Sequence, residues 1–175
     1  MLSASLYVVK RGPWLTGFAV ILAVAVVVLS IWLAVDFDLR RQAIMAALSA
    51  VFYFYATGSL IAYMLEDEFA SADELFAAAA TFTLMAWGFA YVYLVCQTVL
   101  PGSFGTLVRS GTPLTWMELL FLSFTTLSGV GLGDILPLLP MARALVMLEE
   151  FTGVMYLALV VSRLIALSVM TRRPR

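Results

Sequence analysis

The chain has 175 residues, of which 63% are hydrophobic, and its formal net charge is −1. This composition, with a mean hydropathy of +1.03, excludes an ordinary soluble domain and predicts a protein embedded in a lipid bilayer. The near-neutral charge argues against a nucleic-acid partner. The chain has no histidine and one cysteine, Cys96, so it lacks the commonest metal ligand and no disulfide can form within the chain. With no nucleophile–base pair in view, we do not expect an enzyme.

Four apolar segments are predicted to cross the membrane. A helix needs about 20 apolar residues to span the roughly 30 Å hydrocarbon layer. The segments that satisfy this length are residues 14–35, 43–65, 75–100 and 141–170. The last of them also contains Glu149, Glu150 and Arg163, which predicts a side that faces protein or water.

A shorter apolar segment is predicted between the third and fourth spans. The third span ends at a proline–glycine pair, and residues 101–111 are expected to form a loop. Thr115 and Glu118 have the spacing of a capping box, which predicts a helix over residues 115–126. Since that helix is too short to cross the bilayer, we interpret it as a re-entrant helix.

The stretch after this helix, residues 128–134, reads Ser-Gly-Val-Gly-Leu-Gly-Asp. Glycines at alternate positions allow backbone conformations closed to other residues, so that successive carbonyl groups can point the same way. A row of carbonyl oxygens can replace the water shell of a cation inside a membrane. One chain supplies one such loop, which cannot enclose a pore alone, and we therefore expect several copies to assemble around an axis.

Residues 112–167 resemble the pore module of tetrameric potassium channels of the two-helix ion-channel family. The matching run, residues 121–137, is similar to the family pattern of a pore helix, threonines, the motif Thr-Val-Gly-Tyr-Gly-Asp and a proline. The start of the fourth span, with Arg143, Glu149 and Gly153, is similar to the family's inner helix. The resemblance implies a homotetrameric, potassium-permeable cation channel that conducts passively through backbone carbonyls.

The resemblance also implies roles for individual residues. The ion-binding residues of the filter would be Ser128, Gly129, Val130, Gly131, Leu132, Gly133 and Asp134. Permeant ions would contact the carbonyls from Gly129 to Leu132, while the Asp134 carboxylate would anchor the loop or attract cations at the outer mouth. Thr125, Thr126 and Glu149 would support the filter from behind.

The implied fold is an all-α membrane protein with four transmembrane helices, in which a re-entrant pore helix and a filter loop lie between the third and fourth. Residues 1–70 form an N-terminal hairpin that serves as a scaffold, and residues 71–175 form the pore domain. Within that domain the expected elements are an outer helix (72–100), a pore helix (115–126), a filter (128–134) and an inner helix (141–170). The expected partners are further copies of the chain, monovalent cations and membrane lipids, with no cofactor.

Two positions depart from the family pattern. Gly129 stands where the family has threonine, whose hydroxyl completes the innermost ion site. Leu132 stands where the family has tyrosine, whose hydroxyl bonds behind the filter. Both changes predict weaker discrimination between potassium and sodium. A weakly selective cation channel is therefore one alternative, and a non-conducting membrane scaffold or accessory subunit with a degenerate pore is another.

The fourth span offers a candidate gate. Taken three or four residues apart, Val154, Leu157, Val161 and Ile165 fall on one apolar stripe, which can close a pore by dewetting where four helices converge. The same residues also suit plain helix packing. Gly153 permits either a bend in the helix or a close contact with a neighbour. For the two adjacent glutamates of this span, proton sensing and structural hydrogen bonding are both open.

The predicted location is the plasma or inner membrane, with both chain ends in the cytoplasm. Lys10, Arg11 and the tail of residues 171–175 are basic, which favours the cytoplasmic side, and four spans place both ends there. The first hairpin lacks a ladder of arginines, so we do not expect a voltage sensor.

Overall fold

The computed structural model describes residues 38–66, 72–106, 112–131 and 133–171. In chain order, its elements are helix α1 (Leu39–Glu66), α2 (Ala72–Val99), strand β1 (Phe104–Thr106), α3 (Trp116–Leu127), strand β2 (Ile135–Pro137) and α4 (Pro140–Thr171). The first predicted span, residues 14–35, lies outside the described residues, and so does Leu132.

Three of the helices are long and apolar enough to cross a bilayer. The candidate spans are Leu39–Ala62 in α1, Leu75–Val99 in α2 and Pro140–Arg163 in α4. Helix α3 has 12 residues, so its length is about 18 Å, which does not cover the hydrocarbon layer. The described part of the chain is mostly helical, and three of the four predicted spans lie inside the described ranges.

Aromatic side chains join α1 to α2 and α2 to the start of α3. Tyr53 of α1 stacks on Tyr91 of α2, with ring centroids 5.6 Å apart, and the Tyr91 ring lies 4.3 Å from that of Trp116. The Phe54 ring fills the space left by Gly88, where an added Cβ would lie 3.3 Å from it. Helix α1 is thereby packed against α2 and linked to α3 through ring contacts.

The buried core encloses both ends of α3. One cluster lies around its start and consists of Ala46, Tyr93, Leu94, Cys96, Phe104, Leu114, Leu119, Leu122, Ile135 and Ala142. A second cluster lies around its end and consists of Met85, Ala86, Phe89, Leu127 and Tyr156. Because α2 and α4 contribute to both clusters, these two helices determine where α3 lies.

Strands β1 and β2 pair in antiparallel fashion, with Gly105 opposite Leu136. The Leu138 amide continues the pairing by donating to the Ser103 carbonyl (2.8 Å). The expectation of a wholly helical fold, with a loop throughout residues 101–111, is corrected by this strand pair. Strand formation here depends on a partner segment beyond α3, which no local pattern near β1 indicates.

One stripe of α4 is buried, while most of the helix is exposed. Ala142, Glu149 and Tyr156 are 0%, 0% and 7% exposed, and their regular spacing along the helix places them on one face. Apolar side chains on the other faces remain exposed, among them Phe151 and Val154. In a single chain α4 therefore presents a large apolar surface, which lipid or other subunits have to cover.

Candidate functional site

A complete capping box starts α3. The Thr115 hydroxyl accepts a hydrogen bond from the Glu118 amide (3.3 Å), and the Glu118 carboxylate accepts one from the Thr115 amide (2.7 Å). Two of the amides that the start of a helix leaves without partners are satisfied in this way. The helix therefore begins where the sequence pattern predicts.

Gln97 of α2 holds the segment that leads into α3. Its side-chain amide donates to the Leu114 carbonyl, and its side-chain oxygen accepts from the Leu114 amide, both at 3.0 Å. The backbone of Leu114, whose side chain is buried, is thus paired as it would be in a sheet. Gln97 was not among the predicted site residues, although a glutamine near the end of an apolar helix is a signal that can be recognised.

Replacing Gln97 by leucine is expected to lower stability, because it leaves the amide and carbonyl of Leu114 without these partners. Each unsatisfied buried group costs about 1–3 kcal/mol. The midpoint of thermal unfolding in detergent should fall for Gln97→Leu and stay near the wild-type value for Thr98→Val, since the Thr98 hydroxyl donates within its own helix to the Leu94 carbonyl (2.6 Å). Equal midpoints for the two variants would contradict this role of Gln97.

Groups that follow α3 turn back onto the carbonyl of Thr125. The amides of Val130 and Gly131 both donate to it (3.0 Å each), and so does the Ser128 hydroxyl (3.2 Å). A helix end leaves its last carbonyls without partners, so these bonds satisfy the end of α3. They also fix the direction in which the loop leaves the helix.

The three glycines of the loop have a positive backbone φ, and Val130, between the first two, does not. Gly129, Gly131 and Gly133 have φ values of 71°, 54° and 74°, and no described residue other than glycine has a positive φ. A trans peptide is planar, with its N–H and C=O pointing in opposite directions. The amides of Val130 and Gly131 therefore direct the carbonyls of Gly129 and Val130 away from α3. Two successive carbonyl oxygens point to the same side.

The loop lies on the surface of the single chain. The Val130 side chain is 63% exposed. The other described residues of the loop are exposed as well, namely Ser128, Gly129, Gly131, Gly133 and Asp134. Carbonyls in such a position surround a cation only when oxygens from further copies of the loop, or from water, complete its coordination.

A cavity of about 200 Å³ lies beside the loop. Its polar lining includes Thr125, Thr126, Asp134 and Glu150. The loop therefore has open space on this side, and its hydrogen bonds to the Thr125 and Thr126 carbonyls connect it to α3.

The two threonines predicted to support the loop contact it through their backbone. The Thr125 hydroxyl donates to the Leu122 carbonyl of its own helix (2.9 Å), while the Thr125 carbonyl holds the loop. The Thr126 carbonyl accepts from the Gly129 amide (2.9 Å). Helix α3 is thus the element that positions the loop.

Glu149 of α4 lies behind α3 in a fully buried position. The Tyr93 hydroxyl donates to one of its carboxyl oxygens, and the Ser123 hydroxyl of α3 contacts the other. Glu149, Tyr93 and Ser123 are each 0% exposed, so this contact between three helices is closed to water. Of the two explanations left open for Glu149, the geometry supports structural hydrogen bonding. Neither Tyr93 nor Ser123 was among the predicted site residues.

Helix α4 passes the end of α3 at Gly153. A Cβ added there would lie 2.0 Å from the Leu127 carbonyl oxygen and 2.8 Å from its carbonyl carbon, so only glycine fits. The helix continues without a break from Pro140 to Thr171. The geometry therefore supports the close-contact explanation of Gly153, while a hinge function stays a prediction.

The predicted gate residues lie on another face of α4. Leu157, Val161 and Ile165 are 41%, 54% and 59% exposed. By contrast, Tyr156 is buried and donates its hydroxyl proton to the Ala78 carbonyl of α2 (2.7 Å). An apolar stripe left uncovered in one chain suits either a pore lining or contact with another subunit, and the gate stays a prediction.

These features define an integral membrane protein in which a short helix and a glycine-rich loop are inserted between two spanning helices. A family model described as “Ion channel” matches residues 79–169, slightly more than half of the chain. The chain therefore belongs to this family, the two-helix, potassium channel-like ion channels. The matched range includes α3 and the loop. No significant match was found among curated proteins or among solved structures.

Proposed function

We propose that this protein is a homotetrameric cation channel that conducts potassium passively through a filter of backbone carbonyls. The observation that carries the proposal is the loop after α3, where the carbonyls of Gly129 and Val130 point to the same side. In the proposed filter, residues 128–134 of four chains surround one axis. Permeant ions contact the carbonyls from Gly129 to Leu132, and the Asp134 carboxylate lies at the outer mouth.

The physical properties of the loop support cation binding. Carbonyl oxygens carry partial negative charge and replace the water around a cation without a charged side chain. The loop also follows the carboxyl end of α3, where the helix dipole is equivalent to about half an elementary negative charge. Both effects favour a cation over an anion at this position.

The exposed surfaces of the single chain support the proposed assembly. One loop offers carbonyls from one side only, so a dehydrated cation needs the loops of other copies to complete its coordination. The uncovered apolar faces of α4 provide area for contacts between subunits and with membrane lipids. Four copies around an axis satisfy both requirements.

A weakly selective sodium and potassium channel is the second candidate, and Gly129 favours it. A Cβ added at Gly129 would have no atom within 4 Å, so space is open at the position of the family's threonine. A cation at this site keeps more of its water. Since selectivity depends on cavity fit or on the number and field strength of the coordinating oxygens, such a site separates potassium from sodium less well.

Ion flux into liposomes that contain the purified protein tests both candidates. A channel should produce a potassium leak that runs down its gradient and is stopped by a pore blocker. With potassium on one side and sodium on the other, a reversal potential close to that of a pure potassium conductance supports the first candidate. A value near zero supports the second candidate. Absence of flux under every condition contradicts both and favours a non-conducting scaffold.

The proposed location is the plasma or inner membrane, with both chain ends in the cytoplasm. Arg172 and Arg173 support this orientation, because cytoplasmic segments next to spans are enriched in basic residues. Fusions of reporter proteins to the C-terminus test the orientation. A fluorescent protein should fluoresce there and a secreted phosphatase should be inactive, whereas the reverse pattern would overturn the proposed topology.

A further inference from the structure

A chain of hydrogen bonds crosses the interior between α2, α3 and α4. It connects Tyr93 to Glu149, Glu149 to Ser123, and Ser123 to the backbone carbonyl of Ala86, the last at 2.7 Å. The three side chains are completely buried. Bulk water therefore neither donates nor accepts a proton here, and the groups have to satisfy one another.

The number of protons available to these hydrogen bonds determines whether Glu149 is protonated or ionised. A serine hydroxyl has a single proton to donate, and a backbone carbonyl can only accept. When Ser123 donates to the Ala86 carbonyl, its remaining lone pairs face the Glu149 carboxyl oxygen. That contact is favourable only if the carboxyl oxygen itself carries a proton and donates it to Ser123.

The surroundings of Glu149 agree with a neutral side chain. Its two partners are neutral hydroxyl groups, and a buried carboxylate without a cationic partner is strongly unfavourable inside a membrane protein. The Tyr93 hydroxyl donates to the second carboxyl oxygen of Glu149, the protonated carboxyl oxygen donates to Ser123, and Ser123 donates to the Ala86 carbonyl. Each proton of these three side chains is therefore used in a hydrogen bond. A fully satisfied buried network of this kind gives its helices a unique arrangement.

We infer that Glu149 is a neutral carboxylic acid that donates to Ser123 and acts as a positioning residue for α3. Ser123 and Thr126 lie one turn apart on the same face of α3. The hydrogen bonds of Ser123 hold this face of α3 to α2 and α4. The Thr126 carbonyl in turn binds the Gly129 amide, so a shift of this turn displaces the start of the loop. The consequence for conduction rests on the proposed function, whereas the protonation of Glu149 does not.

Infrared spectroscopy of the purified protein in lipid vesicles tests the protonation directly. At neutral pH the wild type should show the C=O stretching band of a carboxylic acid, and Glu149→Gln should lose it. Glu150→Gln is the matched control, because it removes the adjacent, exposed carboxylate and should retain the band. A spectrum in which Glu149→Gln removes no such band would overturn the inference.

Substitutions that keep or break the hydrogen bonds test the positioning role. In Glu149→Gln the new amide group can donate to Ser123 and accept from Tyr93, so the midpoint of thermal unfolding should stay near that of the wild type. Glu149→Leu and Ser123→Ala interrupt this series of hydrogen bonds and should lower the unfolding midpoint. Ser59→Ala is the control, since the Ser59 hydroxyl donates within α1. A loss in Glu149→Gln as large as that in Glu149→Leu would show that an ionised carboxylate is required and that the inference is wrong.

The potassium-to-sodium permeability ratio links this inference to the channel. If four loops form the filter, the ratio should stay unchanged in Glu149→Gln and fall in Ser123→Ala, because α3 shifts only in the latter. Failure of the proposed channel function and failure of the inference on Glu149 give different results. A wild-type protein without any flux contradicts the channel function, while the infrared band and the unfolding midpoints still decide the state of Glu149.

Discussion

Gly153→Ala is expected to destabilise the protein and to remove most of its conduction. The added Cβ would lie 2.0 Å from the Leu127 carbonyl oxygen, which is a backbone atom that no change of rotamer can move. Helices α3 and α4 have to separate, and such overpacking costs about 1–3 kcal/mol, occasionally more. As the loop begins directly after Leu127, the separation also displaces its carbonyls. Thermal unfolding and liposome flux measure the two effects.

Gly58→Ala is the matched control for this substitution. Gly58 lies within α1, where an added Cβ would meet no atom within 4 Å, and alanine favours a helix over glycine by up to about 1 kcal/mol. This variant should keep or raise the unfolding midpoint. If Gly153 served only as a hinge, Gly153→Ala would keep wild-type stability and alter channel opening alone, a result that contradicts the close-contact explanation.

Gly131→Ala is expected to reduce potassium flux about tenfold or more. Gly131 has a φ of 54°, where a Cβ costs roughly 1–2 kcal/mol, and the proposed tetramer contains the change four times. The strain is relieved when the Gly131 amide leaves the Thr125 carbonyl, which turns the Val130 carbonyl away from its present direction. Because about 1.4 kcal/mol corresponds to a factor of ten, the flux per tetramer should fall by at least this factor.

Gly102→Ala separates backbone strain from the geometry of the proposed filter. Gly102 also has a positive φ, 81°, with no atom within 4 Å of an added Cβ, but it lies in the turn after α2. Gly102→Ala should lose about as much stability as Gly131→Ala but keep the wild-type flux and reversal potential. Equal losses of flux in Gly102→Ala and Gly131→Ala would contradict the role of the carbonyl row in conduction.

Features of the site that depend on neighbouring residues were predictable from the sequence. The capping box of Thr115 and Glu118 marks the start of α3, because its two hydrogen bonds form within one turn. The alternating glycines after α3 indicate a backbone with positive φ, which side chains with a Cβ disfavour. Apolar length identified α1, α2 and α4 as candidate spans, since bilayer thickness alone determines the number of residues required.

Contacts between distant parts of the chain were not predictable in the same way. Gln97 and Leu114 are 17 residues apart, and Ser123 and Glu149 are 26 residues apart. Which side chains meet depends on where and at what angle two helices cross, and periodicity within one helix does not contain that information. The strand pair of β1 and β2 was missed for a related reason, because its partner segments lie on either side of α3.

The sequence by itself determined that the chain is a membrane protein, where its described helices run, and which loop can alternate its backbone conformation, because composition, length and glycine placement act locally. Only the tertiary structure decided that Glu149 binds Ser123 and Tyr93, and that Gly153 contacts α3 instead of merely permitting a bend. The physical reason is that each of these features is a hydrogen bond or close contact between separate elements, and buried polar groups find their partners only when those elements pack together.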